Sequence, residues 1–170
     1  MVTPPLPAAL PAITIWQPWA SLIAANLKRY EFRAWAPPER LHWTTIALHA
    51  GVRRPSRQDV ITLQYQMQRD RGLGCCGVVL PDEALEAALD IVRQARFLPA
   101  GVFIATCMLQ PAVRASALYA APKSGPPIDA EKWAWPVFPA VPRTPVKATG
   151  KQGFFSMTVP DDWKDPPADV

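Results

Sequence analysis

Proline is the residue that most restricts how this chain can fold, because it fills 21 of the 170 positions while glycine fills only 8. Each proline removes a backbone donor and fixes φ, so it breaks helix interiors and is excluded from most central strands. The sequence therefore predicts many turns, edge strands and extended connections. Prolines also cluster at both ends of the chain, and we expect residues 1–11 and 160–170 to be flexible tails.

The composition indicates one soluble globular domain. Hydrophobic residues make up 49% and charged residues 19% of the chain, which excludes the disordered class for its body. Three cysteines, two of them adjacent, argue against a secreted disulfide scaffold. We find no zinc-ligand spacing, no signal peptide and no apolar run long enough to span a bilayer. The predictions are therefore a cytoplasmic protein with no metal, no cofactor and no membrane partner.

The charge favours a polyanionic partner. The formal net charge is +4 and the isoelectric point is near 9.2, values typical of proteins that bind nucleic acid. A basic surface that serves only solubility would give the same numbers, because the net charge does not say where the cations lie.

The first third of the chain predicts a strand, a short helix and a second strand. Residues 12–16 alternate as a strand does, and Pro18 is suited to the start of a helix. Asn26 follows as a left-handed cap. Residues 28–35 then alternate again, which places Lys28 on the face opposite to Glu31. Cooperation between those two side chains would therefore require an irregular backbone after Leu27.

The rest of the chain predicts further strands interrupted by two helices. The helices are expected at 56–71, where Ser56 and Asp59 resemble a capping box, and at 82–96, where Asp82 is the predicted N-cap. They form an inserted hairpin over 56–96, and the break between them includes Cys75 and Cys76. The remaining predicted strands are 44–50, 100–109, 133–138, 145–147 and 153–159, with a loop over 111–127. This order predicts an α+β, mainly β fold, a small β-barrel over residues 12–159, rather than a doubly wound sheet.

Several motifs occur in the order that the ASCH domain family shows. Gln17-Pro18-Trp19-Ala20 opens the helix, and Lys28, Glu31 and Arg33 match a Gly-x-Lys-x-x-Glu-x-Arg motif in which Asn26 replaces the glycine. The later matches are Ala47–Ala50, Gly101–Thr106, Trp135, and Lys147 with Gly150–Gly153. Over residues 12–159 the chain thus resembles an ASCH domain, a member of the PUA-like superfamily.

The resemblance implies a PUA-like barrel with a cleft beside the first helix that binds RNA, DNA or nucleotides. Some relatives hydrolyse RNA or N4-acylated cytidine, and the amidohydrolases among them use a lysine, a threonine three residues later and a remote glutamate. This chain has Lys28 but carries Glu31 at the threonine position, and we identify no remote glutamate. The difference shifts the prediction from catalysis towards binding.

The chemistry of the central motif suits an anionic ligand. Arg33 can hold a phosphate with two parallel hydrogen bonds, and Lys28 can neutralise one as a point charge. Glu31 could orient either cation, accept a hydrogen bond from a base, or exchange a proton with Lys28. The alternative is a surface ion pair with no further role.

Other side chains are predicted to border the same cleft. Trp35 and Trp16 are candidates for stacking on bases. The predicted phosphate-binding residues, besides Lys28 and Arg33, are Arg53, Arg54, Lys147 and Lys151. The predicted structural or cleft-wall residues are Gln17, Pro18, Trp19, His49 and Trp135.

Three functions remain open from the sequence. The first is binding of RNA, single-stranded DNA or a nucleotide around Lys28, Glu31 and Arg33. The second is a small hydrolase of RNA or an acylated cytidine, with Lys28 and Glu31 as the proton-transfer pair. The third is a protein–protein adaptor that uses the inserted helices over 56–96, which a contiguous apolar outer face would favour.

Overall fold

The computed structural model describes residues 5–70, 82–118 and 131–163. Within them the chain has a mixed α/β fold that is mainly strand. The strands are β1 (Ala9–Ile15), β2 (Tyr30–Arg33), β3 (Thr44–Ala50), β4 (Val102–Leu109), β5 (Val113–Arg114), β6 (Trp133–Lys147) and β7 (Phe154–Thr158). The helices are α1 (Trp19–Ala24), α2 (Arg57–Asp70) and α3 (Asp82–Arg93), with 3-10 turns at Glu39–Leu41, Ala115–Leu118 and Asp161–Trp163. No helix among the described residues is long and apolar enough to cross a membrane.

The described strands form one sheet in the order β2-β6-β4-β3-β1-β7, with β5 paired to β6. β1 and β3 run parallel, and the other neighbours are antiparallel. The prediction of a closed barrel is wrong, because β2 and β7 remain the two ends of the hydrogen-bonded order. Side chains connect these ends instead. Arg33 Nη2 of β2 donates to the Thr14 carbonyl of β1 at 2.8 Å, and the Trp35 ring lies edge-on to Phe154 of β7.

The long strand β6 joins two segments that the sequence predicted as separate strands, 133–138 and 145–147. It lies between β2 and β4 rather than at an edge, despite four prolines. Its partner changes along its length, from β2 over 133–136 to β4 over 137–147. The register with β4 shifts opposite the stretches that contain Pro139 and Pro145. Prolines are tolerated at such irregularities, because the ladder hydrogen bonds are already interrupted there.

Two helices, α2 and α3, occur within residues 56–96, where the sequence predicts an inserted helical hairpin. Ser56 Oγ accepts the Asp59 N–H at 3.1 Å, and the Asp59 carboxylate accepts the Ser56 N–H at 2.9 Å, as a capping box requires. Helix α3 begins at Asp82 and buries Leu85 and Leu89, while α2 buries Met67. These residues pack with Leu22 of α1, so the insertion is fixed against the helix that borders the predicted site. Cys75 and Cys76 lie outside the described residues.

Both predicted tails contribute to the folded structure. β1 begins at Ala9, where it pairs with Thr158 of β7, and Leu10 is buried. At the other end the Trp163 ring is buried and its indole N–H donates to the Thr144 carbonyl at 2.9 Å. The apolar side chains of Leu10 and Trp163 thus outweigh the nearby prolines, and the fold extends beyond 12–159.

Asn26 ends α1 in the left-handed conformation that the sequence predicts, with φ of 57°. Its side-chain amide also pairs with β6. Nδ2 donates to the Ala140 carbonyl at 2.9 Å, and Oδ1 accepts the Ala140 N–H at 2.8 Å. The amide therefore occupies the flank of β6 as a residue of a neighbouring strand would. A glycine could adopt the same φ but could not form these two bonds.

Replacing Asn26 should separate its two roles. Asn26→Gly keeps the backbone conformation and loses both hydrogen bonds, so we expect unfolding to become easier by about 1–2 kcal/mol. Asn26→Ala also places a Cβ at positive φ and should cost about 1 kcal/mol more. Urea unfolding of the three proteins measures both values. Equal stability of wild type and Asn26→Gly would contradict a structural role for the amide.

Candidate functional site

A cleft of about 1090 Å³ lies where the two ends of the sheet approach each other. Its walls come from the end of β1 (residues 14–16), from β2 (31–33), from the end of β3 and the turn after it (49–53), and from the loop before β7 (148–153). Trp19 and Trp35 complete the rim on the α1 and β2 sides. The cleft therefore occupies the gap that a closed barrel would not have.

Glu31 joins the two cations that the sequence placed beside it. Its Oε2 lies 3.1 Å from Lys28 Nζ, and its Oε1 lies 3.0 Å from Arg33 Nε. Lys28 reaches the same side as Glu31 because the backbone is irregular after α1, where Leu27 N and Lys28 N both donate to the Leu22 carbonyl at 3.0 Å. The alternating pattern required an irregular backbone after Leu27 for Lys28 to contact Glu31, and the structure has one there.

Lys28 is buried behind the cleft wall, with only 5% of the residue exposed. Its ammonium group also donates to the Tyr30 carbonyl and lies 5.7 Å from the Trp19 ring centroid and 5.4 Å from that of Phe32. Cation–π contacts of this kind stabilise a charge that has lost its water. These contacts make Lys28 an anchor for Glu31 rather than a group that touches a ligand.

Arg33 lines the cleft and is partly exposed. The guanidinium is held on one side by Glu31 and on the other by the Thr14 carbonyl. The buried Nε makes no hydrogen bond within the described part of the chain, so its contact with Glu31 is an ion pair, and 29% of the side chain is exposed. An arginine held in this way is preorganised, so little side-chain entropy remains to be lost when an anion binds.

The cleft concentrates positive charge. Four cationic side chains and one carboxylate, that of Glu31, line the described part of the cleft. The cations are Arg33, Arg53, Lys132 and Lys151. Lys132 has an interaction partner of its own, and the other three cations exceed Glu31 by two positive charges. Composition alone does not give this position of the charge.

Two exposed tryptophans border the cleft. Trp16 is 53% exposed, and the Arg53 guanidinium lies 4.4 Å from its ring centroid. A Cβ at Gly51 would lie 2.8 Å from Trp16 Cδ1, so glycine is what allows the ring to pack there. Trp35 is 39% exposed and packs edge-on against the buried Trp135 at 4.6 Å between centroids. Both rings are thus held by packing at the rim.

His49 forms the floor of the cleft and is buried. Nδ1 lies 3.3 Å from Thr14 Oγ1, and Nε2 lies 3.1 Å from the Ala148 carbonyl. Burial lowers the pKa of His49 below its usual value of 6.5, against the opposing effect of the Ala148 hydrogen bond. A Cβ at Gly150 would lie 2.6 Å from His49 and Thr14 atoms, so the 148–153 loop rests directly on this floor.

Some predicted site residues lie elsewhere. Arg54 Nη1 donates to the carbonyls of Arg96 at 2.6 Å and Leu98 at 2.9 Å, beyond the end of α3, and Arg54 is not among the residues that line the cleft. Lys147, the last residue of β6, is exposed and is not among the residues that line the cleft.

The predicted structural residues mostly support the cleft from behind. Trp135 is fully buried and stacks on Phe154 at 5.5 Å, while Trp19 is half-buried. Gln17 accepts the Ser21 N–H and donates to the Pro99 carbonyl at 2.8 Å. Pro18 lies at the N-cap of α1 and lines a separate, smaller pocket.

Sequence reasoning missed three parts of the cleft. Thr14 contributes a carbonyl to Arg33 and a hydroxyl to His49, but nothing in its strand pattern marks it. Lys132 lies next to an aromatic strand, in a region with no motif. Gly150 was noted only as part of a turn, although its small size is what brings the loop onto His49.

No protein-family model matches the chain, and a search of curated proteins returned no match. The resemblance to ASCH domains therefore stays a prediction that depends on the quoted residues. Among residues 5–70, 82–118 and 131–163, no group of three or more His, Cys, Asp or Glu side chains is arranged to hold a metal ion.

Neutralising Glu31 should destabilise the fold, because it leaves the Lys28 ammonium buried without a carboxylate. We expect Glu31→Gln to cost about 3 kcal/mol in the free energy of unfolding. Arg33→Gln removes the more exposed partner and should cost about 1 kcal/mol or less. Adding Lys28→Met to Glu31→Gln should recover much of the loss. If Glu31→Gln unfolds at the wild-type urea concentration, the ion pair is not structural.

His49 should make the fold sensitive to acid. A pKa below 6.5 in the folded state means that the unfolded state binds a proton first. The stability that neutral His49 contributes is therefore complete above pH 6.5 and is lost as pH falls through the folded-state pKa. Unfolding measured from pH 8 to pH 5 should show this loss, and His49→Gln should reduce it. His42→Gln is the control, and an equal reduction there would contradict the assignment to His49.

Proposed function

We propose that this chain binds a single-stranded nucleic acid, RNA or DNA, or a nucleotide, in the cationic cleft between the ends of its sheet. The observation that carries the proposal is the set of Arg33, Arg53 and Lys151 along the described lining, bordered by the exposed rings of Trp16 and Trp35. Phosphates are attracted to the positive charge, and unpaired bases stack on exposed tryptophan rings. Duplexes offer few exposed base faces, so the tryptophans favour single strands.

In this proposal Arg33, Arg53 and Lys151 contact phosphates, while bases stack on Trp35 and Trp16. Glu31 and Lys28 act indirectly, since they hold Arg33 in position from behind the wall. Glu31 has both oxygens in contact with cations, so it has little capacity left to read a base edge. The arrangement predicts affinity for phosphates with weak preference among base sequences.

We further propose that the fold is a divergent ASCH-type, PUA-like domain. Supporting features are the strand-rich sheet, the helix α1 beside the cleft, and the positive φ of Asn26 at the position where the family has glycine. The ordered matches of residues 17–33 and 150–153 add to this support.

Hydrolysis of RNA or an acylated cytidine is the second candidate, favoured by the contact of Lys28 with Glu31 at 3.1 Å. It is less well supported than binding, because Lys28 Nζ is buried and engaged with Glu31 and Tyr30. The adaptor hypothesis has less support, since α2 exposes only Ile61 and Tyr65 as large hydrophobic side chains within its described residues.

Lys151 and Lys147 provide a matched test of the binding proposal. They are the same residue type four positions apart, both exposed, and only Lys151 lines the cleft. We expect Lys151→Ala to weaken binding of a short single-stranded RNA severalfold and to reduce the slope of log K against log salt by about 1. Lys147→Ala should leave both values near wild type. Fluorescence anisotropy at several salt concentrations measures them.

Two results would contradict the proposal. One is binding that does not weaken as salt rises, and the other is an equal loss in the two lysine variants. Incubation with RNA and with N4-acylated cytidine, followed by chromatography, tests the hydrolase candidate in parallel. Turnover that disappears in Lys28→Met while the protein stays folded would favour that candidate over simple binding.

A further inference from the structure

A second, smaller pocket lies beside the cleft, between α1 and the inserted helices. Its volume is about 300 Å³, at the lower end of the range for small-molecule sites. Leu63 of α2 and Val92 of α3 contribute to its apolar lining. We refer to it as the helical pocket.

The helical pocket and the cleft share one partition. Trp16, Trp19 and Arg53 line both. Trp16 is fixed in this partition, because its ring packs on Gly51 and is covered by the Arg53 guanidinium at 4.4 Å. The two spaces therefore meet at a rim that consists of aromatic rings and one cation.

The two spaces differ in chemistry. The charged groups in the helical pocket's described lining are Arg53 and Asp59, which balance. In the cleft Arg33 and Lys151 exceed Glu31 by one positive charge even when Arg53, which lines both spaces, is left out. The Asp59 carboxylate already accepts the Ser56 N–H. An anion is thus favoured in the cleft, and an uncharged planar ring is favoured in the helical pocket.

The helical pocket also contains polar groups that can recognise the edge of such a ring. The Gln66 amide lines it and is exposed, and it carries both a donor and an acceptor. The Thr62 hydroxyl lies one turn before it on α2. A nucleobase presents donors and acceptors along its edge and apolar faces above and below.

We infer that the helical pocket holds the base of one nucleotide whose phosphate lies in the cleft, with the sugar crossing the partition at Trp16. The inference rests on the proposed function and makes it specific. The ligand is a strand with one base extruded, or a free nucleotide that spans both spaces. The inserted helices then serve recognition, a role that differs from an adaptor surface.

The test compares two ligands that have equal charge. One is a six-nucleotide single-stranded RNA, and the other is an abasic strand of the same length. We expect the wild-type protein to bind the RNA about tenfold more tightly than the abasic strand. Thr62→Phe and Leu63→Phe fill the helical pocket from α2, and each should lower that preference to the share that stacking on Trp16 and Trp35 provides, while binding of the abasic strand persists.

Ile61→Phe is the matched control, because Ile61 is exposed on the same helix and does not line the pocket. It should keep the tenfold preference. Binding of the abasic strand by the filled variants shows that they are folded. Leu63 is half-buried, and a phenylalanine there could prevent folding. Thr62 is exposed, so Thr62→Phe tests the pocket without that risk.

The outcomes separate this inference from the proposal on which it rests. If both filled variants keep the preference, or if the wild type has none, the helical pocket does not hold a base. In that case salt-dependent binding that Lys151→Ala weakens would still support the cleft. If neither strand binds, the proposed function fails and the inference fails with it.

Discussion

The Glu31 carboxylate between Lys28 and Arg33 is the interaction on which the site depends. The sheet is open, and its β2 end has no backbone partner on the β1 side among the described strands. Arg33 bridges that gap by its bond to Thr14, and Glu31 fixes Arg33 in the required direction. Lys28 in turn balances Glu31 from the buried side. A chain of three charges thus connects the protein interior, the gap in the sheet and the cleft surface.

Local backbone geometry makes this chain of charges possible. The left-handed turn at Asn26 ends α1 early enough for Lys28 to fold back towards Glu31, and the amide of Asn26 ties the turn to β6. On the opposite wall, Gly51 and Gly150 let Trp16 and the 148–153 loop approach more closely than a Cβ would permit. Small or left-handed residues therefore set the positions of the larger side chains that face the cleft.

Much of this could be predicted from the sequence, for identifiable reasons. The strands at 44–50 and 100–109, the capping box at Ser56 and the cap at Asn26 depend on neighbours in the chain, and local pattern is sufficient for them. Three features depend on residues that are distant in the chain, and a local sequence pattern does not identify such partners. They are the continuity of β6, the open sheet and the burial of Trp163. The same distinction holds in the site. Lys28, Glu31 and Arg33 form a local motif. Local pattern does not show which other cations line the cleft, so it treats Arg54 and Lys147 like Arg53 and Lys151. Thr14 acts through a carbonyl that every residue has.

The open sheet has a consequence for how the cleft can change its width. In a closed barrel, separating two strands would break a ladder of backbone hydrogen bonds. Here the junction is made by the Arg33 side chain and by ring contacts of Trp35 and Trp135 with Phe154. The Arg33 side chain therefore sets how closely β2 approaches β1, and the cleft could widen through the loss of one side-chain hydrogen bond without breaking a backbone ladder.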